Sequence, residues 1–223
     1  MIIGIDFGHT LSGEGTGSRG CGYKEENLTR ELGKIVSDLL KQEGHTVINC
    51  TVDKSYNNEQ QLIDRVIKAN RQKLDLFVSI HFNAFNGVAT GTEVLVHSKN
   101  SKALPYASRI CNNICALGFK NRGVKTHGAY VLRYTDAPAL LIETCFIDNK
   151  KDMDIYQKSN RKVAKAIVEG ILDKSIEDPK DTPKNGFYRV LAGSYKDRDN
   201  AVKRVEELKS KGITASLIYF DNL

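Results

Sequence analysis

The chain has 223 residues, of which 40% are apolar and 27% charged, and its formal net charge is +6. This length and apolar content are enough to bury a full core and one small additional unit. The positive charge is spread along the chain rather than gathered in one block, which argues against a nucleic-acid partner. No stretch approaches the roughly 20 apolar residues of a membrane span. We therefore expect no membrane insertion.

The N-terminus and the cysteines predict the compartment. The first residues lack the basic region and the long apolar core of a secretion signal, because the chain enters an apolar strand almost at once. We expect synthesis in the cytoplasm without a signal peptide. The five cysteines are odd in number, which favours free thiols over a disulfide framework.

Strand and helix patterns alternate along the first 172 residues. Apolar runs predict strands at residues 2–5, 46–48, 74–80, 92–96, 130–132 and 139–142. Apolar residues at helical spacing predict helices around residues 28–40, 62–67, 107–117 and 163–172. Strands separated by helices favour an α/β fold, with a mainly parallel twisted sheet and helices on both faces.

The composition changes at residues 174–186, where two prolines lie among charged residues, as is typical of a linker. Beyond it, residues 187–223 predict a small βαβ unit, with strands at 188–191 and 214–220 around a helix at 201–208. Units below about 40 residues usually need stapling or a partner. We expect this unit to self-associate or to dock.

Two histidines follow apolar strands. His9 comes just after the first strand and His81 ends the strand at 74–80. In open α/β sheets, ligands gather beyond the carboxyl ends of strands, and neutral imidazole is a common zinc ligand. A catalytic zinc usually has three protein ligands, and Glu25, which opens the first long helix, is the best third candidate. The alternatives are ordinary loop histidines and an acid favoured by the helix dipole.

Glu143 ends the apolar run at residues 139–142. A carboxylate at the end of a buried strand needs a partner. It either forms a salt bridge with a nearby Arg or Lys, or acts as a general base beside a zinc-bound water.

Residues 1–172 resemble the zinc-dependent N-acetylmuramoyl-L-alanine amidases of bacterial cell walls and phage endolysins. Asp-Phe-Gly-His at 6–9 is similar to the family's Asp-Pro-Gly-His opening, and Ser-Ile-His-Phe-Asn-Ala at 79–84 matches its Ser-Ile-His-x-Asn-Ala segment. Residues 138–149 match its Pro-Ala-x-Leu-x-Glu-x-x-Phe-x-x-Asn segment, and 121–125 and 131–133 also fit. Two departures, Phe7 for Pro and Thr10-Leu11 for Gly-Gly, alter the loop around His9 without removing its imidazole.

The resemblance implies one zinc ion held by His9, Glu25 and His81, with Glu143 as catalytic base and acid. The implied reaction is cleavage of the amide between N-acetylmuramic acid and L-alanine in peptidoglycan. Candidate substrate-binding residues are Asn83, His127 and Arg133. For Asn83 local loop capping is an equal alternative, and for His127 the alternative is an exposed loop histidine.

The C-terminal unit resembles half of a SPOR repeat, a module associated with peptidoglycan binding. Its Gly-Ser-Tyr turn and preceding tyrosine strand make Tyr188 and Tyr195 candidate wall-binding residues. Because the family's complete domain has two such halves, we hypothesise a homodimer in which each chain donates one.

Three functions are compatible with these residues. The first is a peptidoglycan amidase, either a phage endolysin released through a holin or a sporulation autolysin freed by mother-cell lysis. The others are a zinc peptidase acting on stem peptides and a catalytically silent peptidoglycan-binding protein. Glu143 argues against the silent protein, because such a protein has little reason to keep a buried strand-end carboxylate.

Overall fold

The computed structural model describes residues 1–177, 195–213 and 215. The chain forms two compact units, Met1–Asp178 and Pro179–Leu223. Most of the predicted linker, and all of the two predicted C-terminal strands except residue 215, lie outside the described residues. Among the described residues, none of the helices combines the length and the apolar content that a membrane span requires.

The first unit contains ten strands and five helices among its described residues. The strands are β1 (Ile2–Phe7), β2 (Ser12–Gly13), β3 (Arg19–Gly20), β4 (Tyr23–Lys24), β5 (Thr46–Asn49), β6 (Lys54–Ser55), β7 (Leu76–Asn83), β8 (Thr92–Val96), β9 (Asn121–Thr126) and β10 (Ala139–Phe146). The helices are α1 (Glu25–Gln42), α2 (Asn58–Asn70), α3 (Leu104–Cys115), α4 (Tyr130–Tyr134) and α5 (Lys150–Leu172). In the second unit, α6 (Arg198–Ser210) contains the predicted helix at 201–208.

Six strands form one sheet in the order β5-β1-β7-β10-β8-β9. The four strands from β5 to β10 are parallel, whereas β8 runs antiparallel to β10 and β9 runs parallel to β8. The mainly parallel sheet is therefore confirmed. Two short pairs, β2 with β6 and β3 with β4, lie in the loops that follow β1 and β5 in sequence.

Helices cover both faces of the sheet, as predicted. Alternate residues of a strand point to opposite faces. On β7, Leu76, Val78 and Ile80 join the large core formed with α1, α3 and α5. Phe77 points the other way, into a smaller core with residues of α2 and α4. Because alternate residues of β7 pack into cores on opposite faces of the sheet, both faces of the strand must be apolar. This explains the nearly unbroken apolar run in β7.

The structure corrects the prediction at residues 130–132, which form part of helix α4 rather than a strand. The N–H groups of Leu132 and Arg133 both donate to the carbonyl oxygen of Ala129, and Val131 and Leu132 are buried in the smaller core. A run of three apolar residues has no periodicity that separates a strand from a short buried helix. The predicted strand at residues 130–132 is therefore wrong.

Two strands are longer than predicted. β7 continues to Asn83 and β10 continues to Phe146, so His81 and Glu143 lie inside strands rather than at their ends. β10 continues because Thr144, Cys145 and Phe146 are themselves buried, with an irregular register between Glu143 and Phe146. Strand pairing consequently fixes the backbone of both His81 and Glu143.

Candidate functional site

A groove opens on the face of the sheet that carries α2 and α4. Beyond the apolar residues Phe77 and Leu141, the same face of the strands becomes polar. The groove is lined by His9, Ser18, Glu25, His81, Phe82, Asn83, Ala84, Leu95, His127, Ala129, Leu141 and Glu143. It therefore contains all four residues predicted for the metal and the catalytic base.

Three of these side chains converge. His9 Nε2 lies 3.0 Å from Glu25 Oε1, and His81 Nδ1 lies 3.2 Å from the same oxygen. One ligand atom from each of the three residues lies within 4.8 Å of the others. Glu25 is almost fully buried, with 2% of its side chain exposed, while the two imidazoles are partly open to the groove.

The side chains of His9, Glu25 and His81 offer ligand atoms that suit a metal cation. His9 Nδ1 lies 3.1 Å from the carbonyl oxygen of Gly15, which can only accept, so Nδ1 carries the proton and Nε2 presents a lone pair. That lone pair faces a carboxylate oxygen, so a proton or a metal ion must lie between them. Bonds of about 2.0–2.1 Å from a tetrahedral zinc place two ligand atoms roughly 3.3 Å apart, close to the separations of His9 Nε2 and His81 Nδ1 from Glu25 Oε1. Two imidazoles and a carboxylate are also a known catalytic zinc set.

Backbone groups fix the orientation of Glu25. Its Oε1 accepts from the N–H of Phe82 at 3.0 Å and its Oε2 from the N–H of Ser18 at 2.9 Å. Burial by itself would raise the pKa of Glu25, but the interactions of its carboxylate with the imidazoles of His81 and His9 outweigh burial and hold the pKa well below its usual range. The carboxylate is thus preorganised in its charged, metal-binding form.

The backbone of His9 is held in an unusual conformation. Its φ is +67°, in the left-handed region that few residues other than glycine adopt. The carbonyl oxygen of His9 accepts from Arg65 Nη2 at 2.6 Å and from Arg30 Nη2 at 2.7 Å. Arg65 is itself buried in an ion pair with Asp6, whose other carboxylate oxygen accepts from Ser79 Oγ at 2.7 Å. These contacts join β1, α1, α2 and β7 around the histidine.

Glu143 lies beside this group, paired across the strands with His81. Its Oε2 is buried and has no hydrogen-bond partner among the described residues. Burial raises the pKa of Glu143 well above its usual value, and the nearby charges of Glu25 and Glu93 raise it further. The salt bridge considered as an alternative is absent from the part of the chain described. An unpartnered buried carboxylate next to a candidate metal centre is suited to proton transfer.

The other predicted site residues are dispersed. Asn83 lies in the groove, where its Nδ2 donates to Glu93 Oε1 at 3.3 Å and its own Oδ1 accepts from the N–H of Ala84. His127 also lines the groove, and its Nδ1 accepts from the N–H of Ala129 at 3.1 Å. Arg133 is exposed on α4, with its guanidinium over the Tyr134 ring, and is not among the groove-lining residues described.

In the second unit, Tyr195 is 46% exposed, which leaves its ring accessible. Tyr188 lies outside the described residues.

Sequence reasoning missed Arg65, Arg30, Asp6 and Glu93. For Arg65 and Asp6 a signal existed, because each charge interrupts an apolar pattern, one in α2 and one in β1. Opposite charges at two buried positions indicate an ion pair. Glu93 gives a similar signal, since it lies within an otherwise uncharged, fully buried strand.

Comparisons with known proteins agree with this geometry. A family model described as N-acetylmuramoyl-L-alanine amidase matches residues 3–173, and a SPOR domain model matches residues 155–219. The two matches overlap in α5, where Tyr156 and Val163 are buried in the core of the first unit. The overlapping residues therefore belong to the core of the first unit, whereas the SPOR match from residue 179 onwards, which includes α6, belongs to the second unit.

Relatives of two kinds match nearly the whole chain. The endolysin of Bacillus phage SPP1 is 31% identical over 228 residues, which is 99% of this chain and 77% of the relative. The sporulation-specific N-acetylmuramoyl-L-alanine amidase of Bacillus subtilis (strain 168) is 29% identical over 223 residues, or 98% of this chain and 85% of the relative.

Among solved structures, the catalytic domain of the CD27L endolysin targeting Clostridia Difficile superposes with a TM-score of 0.74 at 35% identity, covering 79% of this chain and 99% of that domain. The chain belongs to the N-acetylmuramoyl-L-alanine amidase family.

Proposed function

We propose that the protein cleaves the amide between N-acetylmuramic acid and L-alanine in peptidoglycan, using one zinc ion held by His9, Glu25 and His81. The observation that carries this proposal is the convergence of two imidazoles and one carboxylate, within 4.8 Å, beside the unpartnered Glu143. The family match and the amidase relatives support the bond that is cut.

Each residue has a distinct role in this proposal. A zinc ion held by the three ligands would supply Lewis-acid polarisation of the amide carbonyl and would acidify the attacking water. The carboxylate of Glu143 accepts a proton from the attacking water while the oxygen of the water attacks the carbonyl carbon. Glu143 then returns the proton to the leaving nitrogen of L-alanine as the C–N bond breaks. The products are a free lactyl carboxylate and a free peptide amine.

Two of the predicted substrate contacts lie in the groove. Asn83, at the end of β7, and His127, just after β9, both line it. We propose that they contact the groups on either side of the scissile amide. Asn83 is already bonded to Glu93, so it presents its amide in a fixed orientation.

We also propose that the C-terminal unit binds peptidoglycan, using Tyr195, and that it pairs with a second copy of the chain. The SPOR match supports the wall contact, and the small size of the unit supports the pairing. Light scattering of the full chain and of a truncated chain ending at Ser175 tests the pairing. The dimer predicts twice the monomer mass for the full chain alone, and equal monomeric states contradict it.

The relatives also support a proposal for where the protein acts. An endolysin and a sporulation-specific amidase match the chain over similar lengths. We propose that the protein acts on the cell wall after release from the cytoplasm, through a holin or by mother-cell lysis.

Digestion of purified peptidoglycan tests the activity. The zinc-loaded protein is expected to create new L-alanine amino termini without new reducing sugars, and a chelator is expected to stop their appearance. Other new amino termini would indicate a peptidase, and no new ends at all would indicate a binding protein. Glu143→Gln should retain zinc while losing activity by a factor of about 10²–10⁴, the typical contribution of a positioned acid or base.

A further inference from the structure

A polar row crosses the sheet away from the candidate metal centre. Glu143 on β10 is paired with His81 on β7 and with Glu93 on β8, so the three side chains follow one another on the same face. β9 completes the row, because Arg122 Nε and Lys125 Nζ each donate to Glu93 Oε2 at 2.6 Å. Neighbouring strands are about 4.8 Å apart, so the basic end lies roughly 10–15 Å from His81.

The basic end carries a surplus positive charge. Burial would raise the pKa of Glu93, but hydrogen bonds from Lys125 and Arg122 lower it, so Glu93 is ionised. Two cations and one carboxylate leave a net charge of +1. Arg122 is the more enclosed cation, with 28% of its side chain exposed and its guanidinium 4.9 Å from the Phe146 ring.

Lys125 is the accessible cation of the row. Its side chain is 44% exposed, and its cross-strand partner is Leu95, which lines the groove. His127, two residues further along, also lines the groove. Residues two apart in an extended segment point to the same face, so Lys125 lies on the groove side of β9.

We propose that Lys125 binds a carboxylate of the stem peptide, while Arg122 neutralises Glu93. This proposal rests on the amidase function proposed above. The carboxyl group of muramic acid is consumed in the scissile amide and the sugar rings are uncharged, so the anions of this substrate belong to the peptide. An extended peptide advances about 3.3 Å per residue, so a carboxylate on one of its first few residues reaches the row. The ion pair between Lys125 and this carboxylate would then distinguish the peptide side of the groove from the glycan side.

Kinetics on two soluble substrates test this subsite. One substrate is an N-acetylmuramoyl pentapeptide with free peptide carboxylates, and the other is the same molecule with every peptide carboxyl amidated. The zinc-loaded full chain is expected to show a KM about three- to tenfold lower for the charged substrate, the range of an exposed to partly buried ion pair. Neither substrate contains a phosphate-bearing wall polymer, so this preference would assign the site to the peptide.

Two substitutions and one control complete the test. Lys125→Gln is expected to bring the KM ratio of the two substrates close to one, and Lys125→Arg is expected to preserve it. Lys120→Gln removes an exposed lysine just before β9 and is expected to keep the original ratio. Equal KM values in the unaltered chain, or an unchanged ratio in Lys125→Gln, would overturn the subsite while leaving the amidase function intact. Failure to cleave either substrate would overturn both proposals.

Discussion

Arg65 donates a hydrogen bond of 2.6 Å to the carbonyl oxygen of His9, and so fixes the backbone of a proposed metal ligand from inside the protein. Arg30 donates to the same oxygen from α1. Because His9 has a positive φ, its conformation depends on contacts that offset the backbone strain. The two arginines hold the backbone of His9, whose imidazole faces Glu25, and neither arginine lines the groove that contains the proposed metal site.

Replacing either arginine is therefore expected to weaken metal binding. Arg65→Gln leaves Asp6 as an unpaired buried charge, so it should lower the free energy of unfolding by about 3–5 kcal/mol. Arg30→Gln is the milder change, because the Arg30 side chain is 17% exposed and its partner Asp53 lies largely in solvent. We expect Arg30→Gln to weaken zinc affinity about tenfold, as is typical for groups that orient ligands, when measured by calorimetry.

Arg71→Gln is the matched control, since Arg71 is an exposed arginine at the end of α2. It should leave both stability and zinc affinity unchanged. Unchanged zinc affinity in Arg30→Gln, with the fold intact, would show that Arg30 does not position His9.

Two glycines leave space for the proposed ligands. A Cβ added at Gly8 would overlap the imidazole ring of His81, and one at Gly17 would come within 2.9 Å of both Glu25 and His9. Gly8→Ala and Gly17→Ala should therefore displace metal ligands without changing any of them. We expect zinc affinity to fall at least tenfold in each, with a loss of stability of about 1–3 kcal/mol.

Gly128→Ala provides the comparison. Gly128 is near the groove, next to His127, yet an added Cβ there meets no atom within 4 Å. Zinc titration and thermal unfolding of the three variants would separate crowding of the site from a general effect of removing glycine. Equal behaviour of all three variants would contradict the geometry of the site.

Glu143→Gln is expected to stabilise the metal-free protein at neutral pH. The folded protein holds the pKa of Glu143 above its unfolded value, so the native state binds this proton more tightly. Stability from this group is fully present below the unfolded pKa and is lost as the pH rises through the folded pKa. At pH 7–8 the melting temperature of Glu143→Gln should exceed that of the unaltered chain by about 2–6 °C.

The difference should shrink as the pH falls, because the unaltered Glu143 then takes up its proton. Glu14→Gln, at an exposed carboxylate in the loop after β1, should show no such pH-dependent gain. Thermal unfolding between pH 4 and pH 8 in the presence of a chelator provides the measurement. A melting temperature of Glu143→Gln below that of the unaltered chain at pH 8 would refute the raised pKa.

The predictable part of the molecule is the part with local periodicity. The alternation of strands and helices and the bounds of β8 follow from the apolar pattern, which also predicts most of α1. Residues 130–132 were assigned the wrong conformation because three apolar residues fit a strand and a short helix equally well. His81 and Glu143 are polar residues inside strands that continue beyond them. The sheet tolerates them because both side chains line the groove, and the apolar pattern carries no sign of that groove.

The support around the site could not be predicted in the same way. Arg65 and Asp6 are 59 positions apart, and Lys125 and Glu93 are 32 apart. No local spacing connects such pairs, because only the order of strands and helices in space brings them together. The proposed metal ligands are predicted chiefly through a family resemblance, since two histidines and one acidic residue at these spacings have ordinary structural explanations as well.

X-ray absorption spectroscopy of the zinc-loaded full chain tests the central claim most directly. The site predicts one zinc per chain with only nitrogen and oxygen neighbours at about 2.0–2.1 Å, including two imidazoles. His9→Ala and His81→Ala should each remove one imidazole from the spectrum or abolish binding. The five cysteines offer a competing environment, with zinc–sulfur distances of about 2.3 Å. Sulfur neighbours, or a spectrum unaffected by both histidine substitutions, would contradict a zinc centre formed by His9, Glu25 and His81.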